Sequence, residues 1–352
     1  MKRILYTGAV VAAVAAIALV ILAWQALRFL DAPLNLPAEG LTYEIAPGTA
    51  FAAVSNDLGR RGVISHPRMF RWYARLTGDA SRIHAGEYRI ERGTTPPELL
   101  GRFVSGDVQL YSFTIVEGWT YRELLAGLKR HDAIVPTLEP DEWTELLEML
   151  GAEATHPEGL FLPETYRFAK GTHDVQILQR SYEMMSRTLE EEWARRVPDL
   201  PLSTPYEALI LASIIERETA REDEREKIAG VFVRRLQKGM RLQTDPTVIY
   251  GIGPDFDGNL TRRHLQTSTP YNTYTMSGLP PTPIALPGRA AIRAALNPAP
   301  GAELYFVATG LPDGSHRFSV TKAEHDAAVA EYLSRLRKSR ITATDANGNG
   351  AR

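Results

Sequence analysis

The chain has 352 residues, a formal net charge of −2 and no cysteine. That length can bury a sizeable core over about two domains, and the missing cysteines exclude disulfides, Cys-ligated zinc and thiol nucleophiles together. With no long basic run, nucleic acid is excluded as the main partner, because phosphate binding depends on clustered Lys and Arg.

Lys2 and Arg3 precede an uncharged, largely apolar run from Ile4 to Trp24, close to the ~20 residues that a membrane-spanning helix needs. A cleaved secretory signal has a shorter apolar region, roughly 7–15 residues. The sequence therefore predicts a retained anchor, with a cytoplasmic tip and transmembrane helix over residues 1–30. Lys2 and Arg3 stay inside, Trp24 lies near the far interface, and the rest of the chain is outside the cytoplasm. Residues 31–40, with Pro33 and Pro37, read as a linker.

A weak internal repeat follows. Residues 43–49, 88–94 and 113–120 each read as strand, Gly turn and helix start, with helices ending near Leu58, near Phe103 and around Leu128. Each helix is expected to be capped by Thr. The pattern over residues 41–112 resembles a LysM-like module, a fold associated with glycan chains, although strand–turn–helix is also a common local design.

From Trp143 the pattern turns helical, broken by residues 158–166, where Pro163 forbids a helix interior. This loop holds Glu158 and Glu164 among Phe161 and Tyr166. It suits a sugar cleft, with aromatic faces stacking on the ring and carboxylates accepting hydroxyl hydrogen bonds, and it equally suits a packed turn. Amphipathic helices are predicted at about 175–195, 206–221 and 226–238. In the second of these, the helical advance of 100° per residue puts Glu218 on the face of Leu211, Ile214 and Ile215, with Glu216 opposite. A carboxylate among apolar side chains is costly to ionise, which suits a general acid near neutral pH. The other reading pairs Glu218 with Arg221 or Arg225.

Gln243, Thr244 and Asp245 fall in a loop before a short apolar segment; Asp245 reads equally as a ligand contact or as the cap of the turn before Pro246. Tyr271, Asn272 and Tyr274 open a long irregular tract that continues to Gly288. Such tracts inside a compact domain are usually functional. Residues 304–308 and 316–320 flank a Gly-Leu-Pro-Asp-Gly turn and predict a hairpin. A helix over 322–336 closes the domain, and residues 338–352 read as a disordered tail. The eight His are scattered, with no close ligand pair on one helix face, so no metal or cofactor is implied. Gly251-Ile252-Gly253 lacks the third glycine of a dinucleotide site, and no Gly-x-Ser-x-Gly elbow occurs. What remains is acid–base chemistry by a carboxylate.

The segments 158–166, 212–219, 241–251 and 271–274, in that order behind an anchor and a LysM-like module, together resemble the YceG-like family of endolytic murein transglycosylases. The resemblance implies an α+β fold with three parts: an N-terminal transmembrane helix, a LysM-like α+β module, and a larger mixed α/β catalytic domain over 113–337. It implies cleavage of the β-1,4 bond between N-acetylmuramic acid and N-acetylglucosamine within nascent peptidoglycan strands, leaving 1,6-anhydro ends and ending strand elongation. Its single catalytic glutamate maps onto Glu218. Gln243, Asp245, Asn272 and Tyr274 would hold the sugar, and Glu164 and Tyr166 would shape the cleft. The resemblance also implies a bacterial inner-membrane location with the catalytic domain on the periplasmic side, and penicillin-binding peptidoglycan synthases as partners. Two alternatives stand beside it: a non-catalytic, membrane-tethered glycan-binding scaffold, and a hydrolytic muramidase.

Overall fold

In the computed structural model, which describes residues 2–139 and 141–348, the chain is α+β and divides into two compact units. The first runs to Tyr111 and takes in Arg167–Thr172; the second comprises Ser112–Tyr166 and everything from His173 onward.

The first unit begins with α1 (Lys2–Asp31). Its segment Ala9–Asp31, 23 residues, is the one helix among the described residues that is long and apolar enough to cross a membrane, and Val14, Ile17 and Leu22 on it are exposed. Its last turn differs. Phe29 is buried in the core of the first unit, with its ring stacked 5.9 Å from that of His66. Residues 31–40, expected as a linker, are mostly exposed but are tied to the first unit at Leu34 and Asn35. Leu34 is buried, Leu34 N donates to Thr94 O (2.8 Å) and Asn35 N to Val63 O (3.1 Å). Burial of Leu34 and Leu36 against the core outweighs the extended bias that Pro33 and Pro37 give this stretch.

The core lies between an antiparallel strand pair, β1 (Leu41–Ile45) and β2 (Gly86–Ile90), and three helices: α2 (Phe51–Arg60), α3 (Pro67–Leu76) and α4 (Pro96–Ser105). Alternation sends Tyr43 and Ile45 inward from β1 and Tyr88 and Ile90 inward from β2. The helices answer with Phe51, Val54 and Leu58, with Phe70, and with Leu99, Leu100 and Phe103. The Tyr88 and Phe103 rings meet edge to face at 4.8 Å. The three predicted strand–turn–helix units all form, and Gly48, Gly93 and Gly118 take φ of +77°, +95° and +79° in their turns. The expected Thr caps hold at two of the three. Thr95 and Thr120 form capping boxes with Glu98 and Glu123, whereas α2 starts after Ala50 without a side-chain cap. Helix α3 has no counterpart in the sequence-based reading; Pro67 stands at its start, where a missing N–H costs nothing.

Strands β3 (Leu110–Thr114) and β5 (Thr165–Ala169) lie where the chain passes between units, as does the two-residue β6 (Thr172–His173). The second unit holds α5 (Tyr121–Lys129), the two-residue β4 (Ile134–Val135), α6 (Thr144–Leu150) and α7 (Asp174–Ala194). Its centre is α8 (Pro205–Glu218), in which every residue from Ala208 to Ile215 is buried. A helix apolar on all sides must be covered on all sides. Helices α7, α9 (Glu222–Gln237), α10 (Asp245–Ile252) and α12 (Arg289–Leu296) do this, the last through the small side chains Ala291, Ala294 and Ala295. The short α11 (Arg262–Gln266) lies within the irregular tract between α10 and α12. The expected hairpin forms as β7 (Tyr305–Ala308) and β8 (His316–Ser319), paired Tyr305 to Ser319.

Two boundaries move. Helix α8 stops at Glu218 rather than Arg221, because Thr219 turns to extended backbone (φ −147°, ψ 136°). Glu222, Asp223 and Glu224 then form the first turn of α9, where carboxylates meet the positive end of the helix dipole. At the other end, α13 runs Lys322–Gly348. It takes up most of the expected disordered tail, since no Gly or Pro interrupts the sequence between Lys322 and Asn347. The rest of that tail, residues 349–352, lies outside the described residues.

In the capping box of α5, Thr120 N donates to Glu123 Oε2 at 2.8 Å and Glu123 N to Thr120 Oγ1 at 3.3 Å. Thr120→Ala is expected to cost about 1 kcal/mol, read as a lower denaturant midpoint with an unchanged slope.

Candidate active site

Glu218 is the last residue of α8, with Ile214 and Ile215 beside it buried in the core. Its Oε2 accepts a hydrogen bond from Thr244 Oγ1 at 2.8 Å. Burial pushes its carboxyl up to about 7, and the charge of nearby Asp245 adds to this; the Thr244 bond and the Arg235 guanidinium pull the other way. The pairing read as an alternative does not form. Arg221 donates to Asp313 O and to Asp223 Oδ2, both at 2.7 Å, and among the described residues no ion pair to Glu218 occurs.

The facing segment is built from threonines. Thr244 is buried, and its N–H donates to Thr273 Oγ1 at 3.1 Å. Thr247 Oγ1 lies 2.8 Å from Thr273 Oγ1 and donates to Thr244 O at 2.8 Å. Gln243 and Asp245, on either side of Thr244, are exposed. Gln243 takes φ +52°, a left-handed conformation that a non-glycine residue adopts at some cost, and its N–H donates to Thr273 O at 3.2 Å. Asp245 Oδ1 accepts from Tyr274 Oη at 2.6 Å. Burial, then that bond, pushes the Tyr274 phenol up. Behind the cluster, the buried Arg235 is held by Leu304 O and Leu242 O, each at 2.6 Å.

The predicted site residues therefore separate. Glu218, Asp245 and Tyr274 come together, with the exposed Gln243 beside them. Asn272 is corrected: it is fully buried, its Nδ2 donates to His264 O, Leu265 O and Thr267 O, and its Oδ1 accepts from Tyr274 N. With every polar atom used, it organises the loop and has nothing to offer a sugar. Tyr166, expected to shape the cleft, offers no polar atom to a sugar. Its ring is buried and its hydroxyl donates to Leu162 O at 2.7 Å. Glu164 is exposed, and its backbone O accepts from Ile115 N at 3.0 Å. No hydrogen bond among the described residues links its side chain to Glu218.

Glu216, on the other side of α8, accepts from Gly288 N at 3.0 Å and so anchors the start of α12. The irregular tract is pinned to α8 as well, with Ile284 N donating to Ser213 Oγ at 3.0 Å. Sequence reasoning missed Thr244 and Thr273 as partners of the site. The one signal was the Thr244–Thr247 spacing, which puts both hydroxyls on one side of the first turn of α10.

A profile of the YceG-like family matches residues 43–331. The chain belongs to this family. A relative from Bacillus subtilis (strain 168), described as an endolytic murein transglycosylase, is 29% identical over 307 residues, 82% of this chain and 84% of the relative. A relative of Streptococcus pneumoniae with the same description is 26% identical over 325 residues, 83% of this chain but 58% of the relative. The crystal structure of a YceG-like protein from Listeria monocytogenes aligns with a TM-score of 0.50 at 28% identity, covering 83% of this chain and 99% of that one.

The raised carboxyl of Glu218 in this YceG-like chain has a thermodynamic signature. Its folded value of about 7 exceeds the unfolded one, about 4.3, so the folded state holds the proton more tightly. Stability is lost as pH rises from about 4.3 to about 7 and is level beyond. Glu218→Gln removes this penalty. We expect its Tm to match wild type near pH 4 and to exceed it by about 5 °C at pH 8; a difference independent of pH would count against the raised value.

Proposed function

We propose that this protein is a membrane-anchored endolytic transglycosylase of peptidoglycan, with Glu218 as its acid and base. One observation carries the reading: a carboxyl at about 7 is protonated in a useful fraction at neutral pH, and its Oε2 alone is bonded to Thr244, which leaves Oε1 for substrate. The names and similarity of the relatives support the substrate class.

In the proposed reaction, protonated Glu218 donates to the glycosidic oxygen between N-acetylmuramic acid and N-acetylglucosamine as the bond to the anomeric carbon breaks. The C6 hydroxyl of the same muramic acid attacks that carbon, and its proton passes to the Glu218 carboxylate. The new C1–O6 bond gives a 1,6-anhydro end, with no water consumed and Glu218 returned to its acid form. Asp245, held by Tyr274, supplies negative charge to the oxocarbenium-like transition state, and Gln243 contributes an exposed amide to sugar binding.

The first unit is proposed as the LysM-like glycan-binding module; its antiparallel β1–β2 pair, sharing one core with α2, α3 and α4, supports this. Helix α1 is proposed as a retained single-pass anchor in the bacterial inner membrane. The helix has 30 residues, Lys2–Asp31, about 45 Å in length, which leaves enough for a bilayer core of about 30 Å with its last turn packed in the first unit, and Lys2 and Arg3 favour a cytoplasmic N-terminus with the enzyme on the periplasmic side. Termination of nascent strands and a partnership with penicillin-binding synthases are supported by the family resemblance alone.

Mass spectrometry of soluble products from purified sacculi tests the reading. The wild-type protein is expected to release 1,6-anhydro ends, one water lighter than hydrolytic ends, and Glu218→Gln to release none while still binding sacculi. Reducing muramic acid ends would make it a muramidase, and sacculus binding without products a scaffold. Because the first step needs the protonated acid, kcat should fall as pH rises through about 7.

A further inference from the structure

A cavity of about 610 Å³ in the second unit takes no part in the reaction derived above, and its size is that of a small-ligand pocket, roughly 300–1,000 Å³. One wall is a single face of α10: Pro246, Ile249 and Tyr250 line it at positions i, i+3 and i+4, and Gly253, just past the helix end, continues it. The other face of α10, Thr247 and Val248, is buried. Trp143 and His156 also line it, their rings 4.6 Å apart. Glu158 also lines it; its oxygens accept from Tyr121 N at 2.9 Å and Tyr250 Oη at 3.1 Å.

We infer that this cavity is a saccharide subsite, holding an N-acetylhexosamine ring of the glycan strand beside the bond that is cut. The inference rests on the transglycosylase reading and adds the place where the strand continues. Three observations carry it. The lining includes Trp143, Tyr250, Phe256 and Tyr271, and aromatic faces stack on the C–H face of a pyranose. Glu158, buried and with its oxygens held by Tyr121 N and Tyr250 Oη, fixes the Tyr250 ring in the cavity wall. The cavity also adjoins the reacting group through the chain itself: Arg217, the neighbour of Glu218, and Pro246, the neighbour of Asp245, both line it. An enzyme that cuts within a polymer must hold sugars beyond the two it separates.

Steady-state cleavage of soluble glycan strands by the full chain tests this, with peptide-free and stem-bearing strands compared. Trp143→Ala is expected to raise KM about tenfold on both with kcat within about twofold of wild type, because Glu218 is untouched. Trp143→Phe, which keeps a stacking face, should return KM to within about threefold and guards against a folding defect in the alanine variant. An unchanged KM in Trp143→Ala overturns the subsite. A rise confined to stem-bearing strands overturns it too, by assigning the cavity to peptide. A wild-type protein that cleaves neither strand rejects the transglycosylase reading itself. In that case, equal binding of a peptide-free tetrasaccharide by wild type and Trp143→Ala, measured by calorimetry, overturns the subsite, and weaker binding by Trp143→Ala upholds it.

Discussion

The second unit depends on one constraint: α8 has no face that tolerates water. From Ala208 to Ile215 every residue is buried, so helices from distant parts of the chain must close around it. A carboxylate at the end of such a helix inherits that dryness. Glu218 sits where the helix leaves its apolar sleeve, near enough to the surface to meet a ligand and deep enough that charge is disfavoured. Glu216, two residues earlier, is turned to the opposite side and spends its carboxylate on the backbone of α12. The same helix thus uses one glutamate as a structural strut and holds the other by a single oxygen, on Thr244.

The environment of Glu218 is organised by uncharged hydrogen bonds. Thr244, Thr247 and Thr273 bond to one another, and Asn272 ties three carbonyls of the loop before it. Neutral donors hold a carboxyl in place without the strong downward pull of a cation at contact distance. Arg235 is present, but its guanidinium is committed to backbone carbonyls, so it tempers the Glu218 carboxyl without pairing with it.

Much of this was legible in the sequence where a single period or turn decides the structure. The 3.6-residue repeat picked Glu218 over Glu216, and the Gly-Leu-Pro-Asp-Gly turn gave the β7–β8 hairpin. What sequence left hidden depends on tertiary partners. An amide that binds a sugar and an amide that bonds a loop are the same residue in a string, and Asn272 proved to be the second. Tyr166 is alike: an aromatic in a cleft-like motif whose hydroxyl closes its own loop. Residues 31–40 looked like a linker because Pro and Asn are common in linkers, and nothing local announces that Leu34 will find a core. The end of α8 was blurred because Arg221 to Arg225 continue a helix-forming composition across a break that only Thr219 marks.

The packing of Phe29 and Leu34 into the first unit changes what kind of attachment α1 provides. A flexible leash lets a domain sample a hemisphere above its anchor, and its effective concentration is spread over that volume. Here the helix end is itself a piece of the core, stacked on His66 and followed by a chain bonded to Thr94 and Val63. With α1 across a bilayer, as proposed, the first unit would stand on a stiff stem, its height and azimuth inherited from the helix. Changes in membrane thickness or tilt would then be felt by that unit as changes in orientation.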